Sequence, residues 1–74
     1  MSTRNKREQK IRQNPANVSL EDFEALINQY GHIRFGGNHP KAVIGNIMFP
    51  YKRSNPVRTP YVEGILEIID SLNK

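Results

Sequence analysis

Residues 35–41, which read FGGNHPK, contain the side chain of this sequence best suited to proton transfer, the imidazole of His39. Residues 36–38 are two glycines and an asparagine, which tolerate positive φ angles and predict a turn. Because Pro40 restricts the residue before it to an extended backbone, His39 is expected to begin a strand, with Lys41 on the same face. An imidazole beside a cation on an exposed surface can move protons and stabilise phosphate charge in RNA cleavage.

The competing interpretation of His39 is an ordinary exposed histidine between a turn and a strand. The other histidine, His32, directly follows Gly31 and is interpreted as a cation that favours the C-terminus of the preceding helix. The sequence has no cysteine and no acid near its central basic segment, so a thiol nucleophile is excluded and no metal site is expected. It also contains no phosphate-binding glycine motif before a helix, and a small-molecule cofactor is therefore not expected.

The basic residues are concentrated in two parts of the chain. Residues 1–13 contain five basic residues and one acid, and so have a net charge of +4. This equals the formal net charge of all 74 residues. Residues 25–62 contain five more basic residues and no acid. A surface of this kind suits a polyanion such as nucleic acid, and the alternative is that the charges only keep the protein soluble.

The first 13 residues are interpreted as a basic N-terminal extension, and residues 14–74 as one folded domain. A helix is possible at residues 3–13, but Ile11 is its only aliphatic residue, so we expect a loose helix that frays or needs a partner. The chain has no apolar run long enough to span a membrane and its N-terminus is charged, which predicts a cytoplasmic protein.

Two amphipathic helices and three short strands are predicted in the domain. Apolar residues recur at helical spacing after the N-cap candidates Ser19 and Thr59, over residues 20–30 and 60–72. The strands are predicted at residues 32–35, 41–44 and 47–49, and a polar loop at residues 51–57. The fold class is therefore α+β, in the order α-β-β-β-α, with both helices on one face of the sheet and the other face open to solvent.

The order of these elements resembles the HicA toxin family of bacterial type II toxin–antitoxin systems. The resemblance extends from Asn14 to Leu72, and its specific parts are Gly37-Asn38-His39 and the proline-rich residues 55–61. It implies a double-stranded-RNA-binding-domain-like fold and the activity of an mRNA interferase, an endoribonuclease that cuts mRNA independently of the ribosome. One position departs from the family, because Asn38 stands where serine is usual.

The resemblance also implies functional residues and partners. The essential histidine of the family corresponds to His39, and the expected partners are mRNA and a HicB-like antitoxin, without a metal, a membrane or a small-molecule cofactor. The alternative is a non-catalytic RNA-binding module of the same fold, which needs the basic residues but not the imidazole. The candidate RNA-binding residues are Gly36, Gly37, Asn38, Lys41, Lys52 and Arg53.

RNA cleavage requires one proton to be removed and another to be delivered, and a single histidine does not easily do both at once. Lys41, Tyr51 or a water molecule is expected to complete the transfer. Lys41 or Arg53 is expected to stabilise the charge that develops on the phosphate.

Overall fold

The computed structural model describes residues 3–72, and it describes side chains from residue 6 onward. Outside the described part lie residues 1 and 2 of the predicted extension and residues 73 and 74 of the predicted domain. The side chain of the basic residue Arg4 also lies outside it. Within it the helices are α1 (Thr3–Gln13), α2 (Leu20–Tyr30) and α3 (Thr59–Leu72), and the strands are β1 (His32–Arg34), β2 (Lys41–Ile44) and β3 (Ile47–Pro50). The predicted α-β-β-β-α order is confirmed, with α1 preceding it.

The three strands form one antiparallel sheet in the order β1-β2-β3. On one face of β2, Ala42 and Ile44 are buried together with apolar side chains of α2 and α3. On the opposite face, Lys41 is exposed and Val43 is half-buried. The chain therefore forms two layers, with the helices on one face of the sheet and the other face open to solvent. None of the helices between residues 3 and 72 has both the length and the hydropathy needed to cross a membrane.

Both ends of α2 are defined by local contacts. Ser19 caps the helix by accepting a hydrogen bond from the backbone N–H of Asp22 at 3.1 Å, as its sequence position predicts. At the other end, Gly31 donates its N–H to the carbonyl of Ile27 at 2.8 Å. A Cβ at Gly31 would lie 1.9 Å from the carbonyl oxygen of Val43, so only glycine lets α2 end this close to the sheet.

The last helix begins slightly earlier than predicted. The backbone carbonyl of Arg58 accepts hydrogen bonds from the N–H groups of Tyr61 and Val62, which is the role of an N-cap residue. Thr59 is therefore the first helical residue rather than the cap. The preceding loop is also less polar than predicted, because Tyr51 and Val57 at its two ends are both buried in the core.

The expectation of a loose N-terminal helix differs from the structure, in which α1 packs against the domain. Ile11 is only 2% exposed and belongs to the same core cluster as the buried residues of α2 and α3. Arg12 donates to the carboxylate of Asp70 on α3 at 2.7 Å, and the hydroxyl of Tyr30 on α2 donates to Glu8. One buried apolar side chain and the polar contacts beside it therefore hold α1 against the domain, although α1 has no apolar stripe.

The first strand is also one residue shorter than predicted. Strand alternation places Phe35 on the same face as Ile33, but β1 ends at Arg34 and Phe35 is 65% exposed. The next residue, Gly36, has a φ of 156°, which departs from the value of about −140° that is typical of antiparallel strands. Phe35 therefore belongs to the loop rather than to the sheet.

Candidate functional site

The open face of the sheet is basic. Residues that pair directly across antiparallel strands share a face, so the register places His32, Val43 and Met48 in one row. The same register places the exposed cations Arg34 and Lys41 side by side in the next row. These residues, together with Pro50 opposite Lys41, form what we call the open sheet face, and none of them is acidic.

A glycine loop, residues 35–40, connects β1 to β2 at the edge of this face. Gly37 has a φ of 68°, in the left-handed region that favours glycine. A Cβ built on Gly36 or Gly37 would meet no atom within 4 Å, so packing does not require glycine at either position. The glycines instead set the path of the loop and leave its backbone open to a ligand.

His39 is exposed and lies in the glycine loop. The prediction that it begins a strand is wrong, because β2 begins at Lys41, and the argument that His39 and Lys41 share a strand face does not hold. No hydrogen bond or ion pair within the described part of the chain involves His39. Its imidazole is therefore free to contact a ligand, as is the exposed side chain of Asn38.

The glycine loop and the open sheet face together form a shallow cleft of about 280 Å³. Three of the predicted binding residues, Gly36, Gly37 and Lys41, line this cleft, and Asn38 and His39 lie between them in the chain. The cleft is completed by residues that the sequence did not single out as ligand-binding, namely Arg34, Phe35 and Met48. Neither Asn38 nor His39 lines the cleft itself, and His39 lies two residues from both Gly37 and Lys41 in the chain.

The other two predicted binding residues, Lys52 and Arg53, do not line the cleft. Lys52 is exposed after β3, whereas Arg53 forms an ion pair with Glu24 of α2, through distances of 3.0 Å and 3.1 Å. The guanidinium of Arg53 also lies over the ring of Phe35, 5.6 Å from its centroid. Arg53 thus contacts the side chain that begins the glycine loop, but its charge is already partly neutralised by Glu24.

Tyr51 is not available as the second proton-transfer group. Its ring is buried at 1% exposure and packs edge-to-face on Phe23, with centroids 5.0 Å apart. Its hydroxyl donates a hydrogen bond to Glu24 at 2.7 Å. Burial, followed by the contact with Glu24, raises the pKa of the phenol well above its ordinary value. Lys41 or a water molecule remains for the role.

The raised pKa of Tyr51 predicts a loss of stability in alkaline solution. The unfolded chain releases the phenol proton near pH 10.0, whereas the folded protein keeps it to higher pH. The stabilisation is therefore complete below that pH and is lost as the pH rises toward the folded-state pKa. In urea unfolding at about pH 9 and about pH 11, we expect a smaller fall in unfolding free energy for Tyr51→Phe than for the wild type. Tyr61→Phe, which leaves the contact with Glu24 intact, should behave like the wild type, and an unchanged profile in Tyr51→Phe would contradict the assignment.

His32 is the first residue of β1, where the predicted strand begins. Its interpretation as a last-turn cation of α2 is wrong, because the last turn of that helix contains no basic residue and His32 is exposed on the open sheet face. Side chains two residues apart in a strand lie on the same face, so His32 shares the open sheet face with Arg34. The strand predicted from residue 32 includes this position, whereas nothing local indicated that Met48 would line a cleft.

The described part of the chain offers this site an exposed imidazole, an accessible glycine backbone and two neighbouring cations, Arg34 and Lys41. Within residues 3–72, no group of three or more histidine, cysteine or acidic side chains is placed to hold a metal ion. Comparison of the chain with profiles of known families, with curated proteins and with solved structures finds no match.

Proposed function

We propose that this chain is an endoribonuclease of the HicA type, the toxin of a type II toxin–antitoxin system, which cuts mRNA in the cytoplasm. The observation that carries the proposal is the position of His39 in the glycine loop, beside a basic cleft. Its imidazole is exposed and has no partner among the described residues. The α-β-β-β-α order and the resemblance at residues 37–39 and 55–61 support it. On this proposal the fold is the double-stranded-RNA-binding-domain-like arrangement that the resemblance implies.

RNA is the substrate that best matches the charge of the site. Arg34 and Lys41 are neighbours on the open sheet face and can bind successive phosphates of an RNA backbone. An acidic surface would repel these phosphates, whereas the basic open sheet face attracts them. Lys52 adds an exposed cation beyond β3. Arg53 contributes less than its formal charge suggests, because a phosphate would have to compete with Glu24 for its guanidinium.

The proposed reaction uses the 2′-hydroxyl of the RNA as its nucleophile. The 2′-oxygen bonds to the adjacent phosphorus, and the bond from phosphorus to the 5′-oxygen breaks. The 2′-proton passes to a base and the leaving 5′-oxygen takes a proton from an acid, so the products are a 2′,3′-cyclic phosphate and a 5′-hydroxyl. His39 performs one of these two transfers, since an imidazole can act as either a proton acceptor or a proton donor.

The remaining tasks fall to the cations and to water. Lys41 lies two residues after His39, lines the cleft and can stabilise the negative charge that develops on the non-bridging phosphate oxygens. The second proton transfer is assigned to Lys41 or to a water molecule, because the hydroxyl of Tyr51 is buried and already bonded to Glu24.

A HicB-like antitoxin is the proposed protein partner. A partner that covers the cleft and the open sheet face meets Arg34 and Lys41 and no acidic residue, so its contacting surface should be acidic. Co-expression of this chain with the product of a neighbouring reading frame, followed by isolation of the complex, tests this partner.

The products of RNA cleavage test the proposed activity. Purified protein should cut single-stranded RNA in the presence of EDTA and leave DNA of the same sequence intact, because DNA lacks the 2′-hydroxyl. The downstream fragments should carry a free 5′-hydroxyl that a polynucleotide kinase can phosphorylate directly. Cleavage that stops in EDTA and leaves 5′-phosphates would contradict the mechanism, and RNA binding without any cleavage would favour the non-catalytic module.

A further inference from the structure

Phe35 is the most exposed of the large hydrophobic side chains in the described part of the chain, at 65%. An isolated exposed aromatic residue needs no explanation by itself. Phe35, however, lines the basic cleft and begins the glycine loop that contains His39. It therefore lies where a ligand of the proposed site would pass.

The ring of Phe35 contacts a cation. The guanidinium of Arg53 lies over the ring, and Glu24 fixes that guanidinium from α2. Phe35 lines the cleft, whereas Arg53 does not, and the side chain of Phe35 remains 65% exposed. The arrangement orients an aromatic surface toward the cleft without covering it.

We propose that Phe35 is a stacking platform for one unpaired RNA base, with the adjoining phosphates bound by Arg34 and Lys41. An aromatic ring beside a positively charged groove is the combination by which proteins bind single-stranded nucleic acid. The cleft of about 280 Å³ is close to the lower limit of about 300 Å³ for small-molecule sites, which suits a single nucleotide. The identity of the polymer as RNA rests on the proposed function.

The platform predicts a preference for single strands. In a duplex every base is already stacked and paired, so Phe35 gains a partner only if a base first leaves its stack. Cations alone would attract both single and double strands. If RNA binding depended only on Arg34 and Lys41, removal of the Phe35 ring would therefore leave the RNA affinity unchanged.

The sequence allows a direct test, because it contains no tryptophan. In Phe35→Trp, the single tryptophan should be quenched when a fully 2′-O-methylated RNA oligonucleotide binds, since that ligand cannot be cleaved. Ile47→Trp is the matched control, because Ile47 is 40% exposed but pairs with Ile44 at the far end of the β2–β3 hairpin. Little quenching is expected there.

A second variant measures what the ring contributes to affinity. Phe35→Leu keeps an apolar side chain but has no aromatic surface, and it should weaken binding of the single-stranded oligonucleotide by about 5- to 100-fold. Its affinity for a duplex of the same length should remain near the wild-type value. Because Phe35 is exposed, both variants should fold, which thermal unfolding verifies.

Parallel assays separate this proposal from the proposed function. If the wild type cleaves RNA while Phe35→Trp is quenched no more than Ile47→Trp and Phe35→Leu binds normally, the platform is wrong and the nuclease stands. If the wild type does not cleave but Phe35→Trp is quenched and Phe35→Leu loses affinity, the platform stands in a binding module. A cleft that binds an acidic protein but no RNA gives no RNA-dependent quenching, which also overturns the platform.

Discussion

His39→Ala should lower the rate of RNA cleavage by at least about 100-fold, the loss typical of removing a general acid or base. RNA affinity and thermal stability should remain near the wild-type values, because the side chain is exposed and has no partner within the described residues. Single-turnover cleavage of a labelled RNA measures the rate, and binding of a 2′-O-methylated oligonucleotide measures the affinity. A loss confined to the rate assigns His39 to the chemical step rather than to binding.

The matched control for this prediction is His32→Ala. His32 is the other histidine of the chain, is also exposed, and lies on the open sheet face next to the row of Arg34 and Lys41. Its replacement should change the cleavage rate by only a few-fold, because the proposed chemistry uses the imidazole of the glycine loop. Wild-type cleavage by His39→Ala would remove His39 from the mechanism. If His32→Ala then lost activity instead, the reactive imidazole would be the one on the sheet.

The elements that were predicted correctly are those with signals close together in the chain. The apolar spacing of α2 and α3 and the cap at Ser19 lie within a few residues of the structure they specify. Gly45 and Asn46, which stand between the predicted strands at residues 41–44 and 47–49, are typical of a tight hairpin turn, and β2 and β3 pair as a hairpin around them. Such patterns determine the type of each element and, through the order of elements, the two-layer arrangement of the domain.

The contacts that were missed join residues far apart in the sequence. Arg12 bonds to Asp70 across 58 positions, and Glu24 accepts from both Tyr51 and Arg53 across 27 and 29 positions. No local periodicity encodes such pairs, since each side chain has many possible partners until the fold brings one near. For that reason the sequence predicts neither the docking of α1 nor the burial that removes Tyr51 from the candidate reactive groups.

The candidate site was predicted in part for the same reason. A short motif indicated Gly36, Gly37 and His39, because turn-forming residues and an imidazole are recognisable one at a time. The position of Phe35 follows from strand alternation only while the strand continues, and the rule fails at the residue where the strand ends. The cleft that Phe35 lines depends on where β1 ends and on the strand register that places Met48 beside it. Neither feature can be predicted from the local sequence.

Ile11→Ala should lower the free energy of unfolding by about 2–5 kcal/mol, the range for truncating a buried isoleucine. Ile11 is 2% exposed in the core, although it lies in a helix that has no apolar stripe of its own. A domain of this size has a total stability of roughly 5–15 kcal/mol, so the loss would be a large fraction of it. Urea unfolding followed by circular dichroism measures the change.

Ile47→Ala is the control for Ile11→Ala, because it removes the same atoms from a side chain that is 40% exposed. It should cost much less, since less apolar surface is returned to water and no enclosed cavity forms. Equal effects of the two substitutions would mean that α1 contributes no core and that residues 1–13 are a loose extension, as the sequence suggested. A much larger effect of Ile11→Ala would instead make α1 part of the domain, with Arg7 and Arg12 held in ion pairs to Asp22 and Asp70. The cations of α1 left for RNA would then be the exposed Lys6 and Lys10 among its described side chains.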